Sequence, residues 1–279
     1  MSGRGGTALR RRLDTELVRR GLARSREHAS QLIAAGAVAT AAGPATKAAT
    51  LVDREASIRV TAADAGATAY ASRAAHKLIG ALDELARRGQ APIIEDRVCL
   101  DAGASTGGFS DVLLRRGARL VHAVDVGYGQ LSWRLQSDSR IRVHDRTNAR
   151  HLVKGDLEPE PELVTADLSF ISLRTVLPAL AAVTAPGAEF LVMVKPQFEV
   201  GRERLPSGGV VRDPAARVGA VSAVAHAAIS EGLGVMAVVR SPLPGPAGNV
   251  EFFLYLKRGQ SGLGEGALAD GIEQEVAAQ

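Results

Sequence analysis

Cysteine is nearly missing from this chain: Cys99 is the one thiol in 279 residues. No internal disulfide can form, and the position of Cys99 inside an apolar run predicts an inert buried thiol. Aromatic residues make up 4% of the sequence, which excludes a sheet that binds a single strand by stacking one base after another. Trp133 and Tyr128 are accordingly read as packing residues, with a place lining the cofactor crevice as the alternative. The six histidines, His28, His76, His122, His144, His151 and His226, show no ligand spacing, so no metal site is expected. No uncharged apolar stretch approaches the roughly 20 residues that a spanning helix needs. The opening MSGRGGTALRRRLD lacks the apolar core of a leader peptide. These absences predict a cytoplasmic protein with no membrane partner.

Positive charge is present but unevenly spread. Residues 1–60 hold 11 Lys+Arg against 5 Asp+Glu, a net of +6, whereas the remaining 219 hold 23 against 25, a net of −2. The N-terminal segment is therefore the electrostatic footprint for a phosphate backbone, with a solvated helix face as the alternative.

Punctuation by Gly and by small residues divides the chain. Residues 1–8 are Gly-rich and expected to be disordered. In 9–60, Leu13, Leu17 and Val18 recur at helical spacing up to a C-cap at Gly21. Ser25 then caps a second helix carrying Ala29, Leu32 and Ile33 to Gly36, and short strands and turns follow over Val38–Val60. A linker at 61–69 leads to a helix N-capped near Ser72, which opens a second domain over 70–260. Residues 261–279 are read as a tail.

The stretch Val98–Val126, VCLDAGASTGGFSDVLLRRGARLVHAVDV, reads as strand, glycine-rich turn, helix and second strand, closed by a carboxylate. Gly103, Gly107 and Gly108 let the backbone come close to a ligand, and Asp125 at the second strand end suits the two hydroxyls of a ribose. The pattern Gly-x-x-x-Gly-Gly differs from the dinucleotide fingerprint. Asp101, two residues before the first glycine, repels phosphate but favours a cationic amino-acid group. That combination fits S-adenosylmethionine (SAM) and so a methyltransferase. The candidate cofactor residues are Asp101, Gly103, Ala104, Ser105, Thr106, Gly107, Gly108, Asp125 and Val126, with Asp145 near the adenine amino group. A glycine-rich turn without a ligand is the alternative.

Further strands near 141–144, 162–166, 189–194, 233–239 and 250–257 alternate with helical patterns near 129–138, 172–184 and 214–231. The alternation predicts an α/β domain with a Rossmann-like, seven-stranded, mostly parallel sheet whose last two strands form an antiparallel pair. Its strands end at Asp101, Asp125, His144-Asp145, Asp167 and Lys195, all at the edge where open sheets bind ligands. Asp167 and Lys195 leave apolar strands for one crevice; a structural ion pair is the alternative reading. The loop from Pro196 to Asp213, with Arg202, Arg204 and Arg212, is positioned to close over a nucleic acid or to form a surface excursion.

Two resemblances add to this reading. RLDTELVRRGLARSREHASQLIAAGAV resembles the S4 RNA-binding domain, a small α+β module, and departs from it after Val38, where Ala39-Thr40-Ala41-Ala42-Gly43-Pro44 replaces the usual hairpin. The resemblance implies that Arg19, Arg20, Arg24, Arg26 and Lys47 contact RNA backbone. Lys77, Asp167, Lys195 and Glu251 resemble, in order and context, the Lys-Asp-Lys-Glu tetrad of FtsJ-like RNA ribose 2′-O-methyltransferases. The strings SRAAHKL, DAGASTGGFSD, DRTNAR, ADLSFISL, VKPQFE, GGVVRD and GNVEFFLYLK are similar to the TlyA family, which joins both domains.

That resemblance implies a class I SAM-dependent methyltransferase acting on a ribose 2′-hydroxyl of 16S or 23S ribosomal RNA, at cytidine. In this scheme Lys195 contacts the 2′-oxygen, Lys77 and Glu251 hold the ribose and lysine geometry, and Asp167 positions Lys195 and the methyl group. Lysine starts near pKa 10.4, so a base role needs desolvation or a nearby cation to lower it, which the carboxylates oppose. The competing readings are a non-catalytic ribosome-associated RNA binder and, from the haemolysin label carried by the family, a membrane-active protein. The first is opposed by the intact tetrad, the second by the absence of a leader or spanning segment.

Overall fold

The structure, a computed structural model, describes residues 10–20, 22–23, 25–34, 36–40, 43–53, 56–60 and 70–278. The expectations for residues 1–8, for a cap at Gly21, for Arg24 and for the 61–69 linker lie outside these residues. The chain divides into two compact units, residues 1–69 and 70–279.

The first unit contains β1 (Arg10–Arg12), α1 (Leu13–Arg19), α2 (Arg26–Ala34), β2 (Val38–Thr40), β3 (Gly43–Pro44), β4 (Leu51–Asp53) and β5 (Ile58–Val60). Strands β1 and β4 pair antiparallel, and β2 lies between β3 and β5. Leu13, Leu17, Ala29, Ile33, Val38 and Val52 form its core. Ser25 Oγ accepts the His28 N–H at 3.1 Å, the expected N-cap of α2. Gly36 adopts φ +70° as the Ala37 N–H returns to the Leu32 carbonyl at 2.9 Å, closing that helix.

The second unit runs through α3 (Ala74–Arg87), β6 (Val98–Ala102), α4 (Gly108–Arg115), β7 (Leu120–Val124), α5 (Trp133–Gln136), β8 (Ile141–His144), β9 (Leu163–Ala166), α6 (Leu173–Ala182), β10 (Glu189–Val194), α7 (Pro196–Glu199), α8 (Pro214–Ser230), β11 (Leu233–Arg240), β12 (Phe252–Arg258) and α9 (Glu265–Ala277). Its sheet has seven strands in the order β11-β12-β10-β9-β6-β7-β8. The five strands from β10 to β8 are parallel, and β12 is antiparallel to both β10 and β11. This is the Rossmann-like α/β architecture anticipated from the alternation of strands and helices.

Both sheet faces are covered, as parallel strands require. Along β12, Phe252, Leu254 and Leu256 join one core with Val176, Leu177 and Val224, while Phe253 and Tyr255 join another with Leu78, Leu82 and Val112. Cys99 is buried in the second core, and burial pushes its thiol up to about 12, so it is chemically quiet.

Three local expectations change. The stretch read as a tail holds α9, whose Leu268, Ile272 and Val276 bury into the first core. The helix expected near 129–138 is confined to 133–136, because Gly129 takes φ +62° and its N–H turns to the Asp145 carboxylate. Ser72 does not cap α3. Arg73 occupies that position without a side-chain bond.

Candidate functional site

The order in which strands are added reverses between the parallel neighbours β6 and β9, the place where an open sheet forms a ligand crevice at its strand ends. Strand β6 delivers Asp101, and the turn after it uses Gly103 at φ +87° and Gly107 at φ +95°. A Cβ on Gly103 would stand 2.8 Å from the Asp167 carbonyl oxygen. One on Gly107 would collide with Leu135, and one on Gly108 with Ser72 Oγ. The glycines thus let the turn lie against the end of β9, α3 and α5, and Gly103 and Gly108 also line the cavity.

Asp101 is 1% exposed. Its Oδ2 accepts the Ser110 N–H at 2.8 Å and the Ser110 hydroxyl at 2.6 Å, while its buried Oδ1 has no hydrogen-bond partner among the described residues. Burial pushes this carboxyl up to about 7 against the opposing Ser110 bonds, with Asp167 and Asp125 adding to the rise. A carboxylate in this state gains by meeting a cation. It faces a cavity of about 310 Å³ whose lining includes Gly103–Thr106, Lys77, Asp167, Ser169 and Lys195.

Asp125, one strand over, accepts the Ser105 N–H at 2.8 Å on Oδ2 and the Gly127 N–H at 2.7 Å on Oδ1. Two fixed backbone donors aim the carboxylate and leave a lone pair on each oxygen. Asp145 accepts from Gly129 at 3.0 Å, and Val126 is exposed beside Asp125. The residues fit SAM: an unpartnered buried carboxylate for its ammonium, an aimed carboxylate for its ribose, and a turn without side-chain bulk.

The two lysines occupy separate ion pairs. Lys77 in the first turn of α3 is 4% exposed, and its Nζ lies 2.6 Å from Glu251 Oε2. Lys195, at the end of β10, places Nζ 2.5 Å from Asp167 Oδ1 and donates to Ser169 Oγ at 3.0 Å. Lys77, Asp167 and Lys195 all line the cavity, and Glu251 stands behind Lys77. The four residues singled out from the sequence are therefore brought to one crevice. Two buried ammonium groups, each matched by a carboxylate, can hold a polar oxygen between them without leaving an uncompensated charge.

Close approaches set this spacing. A Cβ on Gly80 would run into Pro242, and one on Gly245 would lie 2.5 Å from Glu251 Oε1. The connection 241–249 is thus pressed against α3 and the Glu251 carboxylate, and Arg73 fastens it by donating to the Pro244 carbonyl at 2.9 Å. Buried Asn249 ties it to the loop after α7, donating to the Gly209 carbonyl at 2.8 Å and accepting the Val211 N–H at 2.9 Å. The loop read as closing over a nucleic acid or as a surface excursion is anchored there.

Sequence reasoning did not single out Ser110, Ser169, Gly245 or Phe170. Phe170 is 92% exposed at φ +62°, a strained setting for a bulky residue. It follows Ser169 directly, and its ring centroid is 5.3 Å from that of Phe198. Of the four, Ser169 lines the cavity. Tyr128 and Trp133, read as packing residues or as lining of the crevice, are 71% and 66% exposed and so do not pack in the core; the Arg146 guanidinium lies 4.4 Å above the Tyr128 ring.

In the first unit the candidate RNA contacts are only partly open. Arg19 and Arg20 both bind Glu16, at 2.5 and 2.8 Å, and Arg20 also donates to the Ala56 carbonyl at 2.7 Å. Arg26 reaches Asp14 at 3.1 Å, and Lys47 is exposed. The guanidiniums beside Asp14 and Glu16 hold both carboxyls below their usual range. Among the described residues no metal-ligating cluster occurs, and no helix is long and apolar enough to cross a membrane.

Comparison with known proteins agrees with both units. The FtsJ-like methyltransferase family matches residues 70–258 and the S4 domain family residues 11–58. The 16S/23S rRNA (cytidine-2′-O)-methyltransferase TlyA of Mycobacterium tuberculosis is 52% identical over 250 residues, which cover 90% of this chain and 91% of that protein. YqxC of Bacillus subtilis is 40% identical over 252 residues, covering 90% and 86%. A solved structure from Streptococcus thermophilus, labelled a hemolysin, superposes with a TM-score of 0.69 at 34% identity, covering 97% of this chain and 96% of that one.

Proposed function

The chain belongs to the TlyA family, FtsJ-like methyltransferases preceded by an S4 domain, and from that membership we propose that it methylates the ribose 2′-hydroxyl of cytidine in ribosomal RNA, with SAM as donor. The observation that carries the proposal is the convergence of Lys77, Asp167 and Lys195 on the cavity that Asp101 faces.

When bound, SAM supplies an electrophilic methyl group. Asp101 Oδ1 is the proposed partner of its ammonium, Asp125 of its ribose hydroxyls and Asp145 of its adenine amino group, with Gly103–Gly108 and Val126 lining the site. On the acceptor side, Lys195 Nζ, having given a proton to solvent, accepts the proton of the 2′-hydroxyl as that oxygen takes the methyl, and is an ammonium again. Asp167, 2.5 Å away, fixes the direction of that ammonium. Lys77, itself held by Glu251, orients the ribose from the α3 side. A poor nucleophile is thereby held in line before the methyl moves, and such positioning accounts for much of the acceleration in transfer reactions.

Arg19, Arg20, Arg26 and Lys47 are the proposed backbone contacts of the S4 domain, joined by Arg24. Of these, Arg20 carries the most internal work, since it already serves Glu16 and Ala56.

The reading is tested by incubating the protein with SAM and unmodified ribosomal subunits, digesting the RNA to nucleosides and identifying the product by mass spectrometry. The account requires 2′-O-methylcytidine. A base-methylated nucleoside, or none while SAM binds, overturns it.

A further inference from the structure

Glu199 is a buried carboxylate to which the proposed reaction gives no task. It is 4% exposed and ends α7, the short helix that begins immediately after Lys195. Its Oε1 accepts the Leu173 N–H at 2.7 Å, and its Oε2 accepts the Ser172 hydroxyl at 2.5 Å and Arg174 Nε at 3.3 Å. Arg174 also donates to the Glu199 carbonyl at 3.3 Å. All three partners belong to the start of α6, three to five residues beyond Ser169.

Two segments are therefore fastened together at both ends. At one end Lys195 binds Asp167 and Ser169; at the other Glu199 binds Ser172, Leu173 and Arg174, and between them Phe198 meets Phe170. The segment from Asp167 to Ser172 includes Phe170 at φ +62°, a conformation that a bulky residue keeps only when its surroundings enforce it. The short α7 turn, whose Phe198 N–H returns to the Lys195 carbonyl at 2.9 Å, transmits the position of Glu199 to Lys195.

We propose that Glu199 is a positioning residue: through Ser172 and the Leu173 N–H it clamps the Asp167–Ser172 segment to α7 and so keeps the Lys195 ammonium on Ser169 and Asp167. This rests on the reading that Lys195 serves the acceptor hydroxyl. A carboxylate that merely capped α6 would stabilise the fold and leave Lys195 where it is.

The test uses the full chain as Glu199→Ala, Glu199→Gln and Ser172→Ala, with three readouts: the rate of Lys195 and Lys77 acetylation by an amine-reactive ester, followed by peptide mass spectrometry; SAM affinity; and kcat against KM for transfer into ribosomal RNA. In Glu199→Ala, Lys195 acetylation rises several-fold while Lys77 keeps the wild-type rate, and kcat falls about 100-fold, as a displacement of about 1 Å at a reacting group would cause. SAM affinity stays within about twofold, because the Asp101 end of the cavity is untouched. Ser172→Ala moves in the same direction by less. Glu199→Gln restores most of the rate, since an amide oxygen still accepts from Leu173.

Wild-type Lys195 acetylation in Glu199→Ala, an equal rise at Lys77, or a Gln variant as impaired as Ala would overturn the proposal. If Glu199→Ala does not fold, Ser172→Ala and Glu199→Gln decide by the same labelling ratio. A wild-type protein that methylates no ribosomal RNA would remove the functional reading, while the acetylation pattern would still decide the clamp.

Discussion

Lys77 and Glu251 lie 174 positions apart in the chain, and their charged atoms meet at 2.6 Å in a buried pair. The first turn of α3 and the approach to β12 are thereby locked to each other on one side of the cavity. Removing one member leaves a desolvated charge, whereas removing both leaves an apolar gap.

Lys77→Met or Glu251→Leu alone therefore lowers stability by about 3–5 kcal/mol, and the double variant recovers most of it. Urea unfolding measures both. Activity should not return with stability in the double variant, which separates the structural contribution of the pair from its proposed place beside the substrate.

The proposed contact of Asp101 with the SAM ammonium predicts pH-dependent cofactor binding. The folded Asp101 carboxyl sits at about 7, above the roughly 3.9 of an unfolded chain. The stability that this group contributes in the free protein is therefore complete below about pH 4 and lost as pH rises through 7. A bound ammonium reverses the preference by favouring the ionised form. SAM affinity should improve about tenfold from pH 6 to pH 8 with release of a proton, measured by calorimetry in buffers of different ionisation enthalpy. Asp101→Asn should bind weakly and without the pH dependence.

His122 lies in the sheet with Nε2 3.1 Å from the Pro159 carbonyl and Nδ1 3.0 Å from His144 Nε2. A carbonyl only accepts, so Nε2 carries the proton and Nδ1 accepts from His144. Burial lowers His122 to about 4, with the Pro159 bond opposing. A depressed folded pKa contributes stability that is present above about 6.5 and lost as pH falls through 4. The stability advantage of wild type over His122→Asn should shrink on acidification from pH 6.5 to 4.5 in denaturant titrations, and a constant difference would contradict this account.

Gly245→Ala tests how narrowly Glu251 is placed. The added methyl would stand 2.5 Å from Oε1, so the carboxylate must shift and Lys77 with it. Methyl transfer should drop at least tenfold, while equilibrium dialysis finds SAM affinity unchanged.

Much of this molecule was legible in the sequence because its signals are local. The apolar runs ending in Asp101, Asp125, Asp167 and Lys195 give strands and strand ends together, and a parallel sheet sends all such ends to one side. Glu251 could be matched to Lys77 only through resemblance, since no short-range pattern joins residues so distant in the chain. Helix α9 went unread because it buries Leu268, Ile272 and Val276 at wide spacing among glycines and carboxylates, a weak helical signal by itself. Ser110 and Ser169 were passed over because a serine's role depends on which buried group its hydroxyl meets, and that is decided by packing.

In the proposed reaction Lys195 serves the acceptor hydroxyl of a SAM-dependent ribose methylation. Its most direct test is transfer of labelled methyl from SAM into separated ribosomal subunits lacking the modification, comparing wild type with Lys195→Ala and mapping products by primer extension sensitive to ribose methylation. The account predicts a ribose-methyl stop with wild type and none with Lys195→Ala, at equal SAM affinity. Undiminished methylation by Lys195→Ala would contradict it.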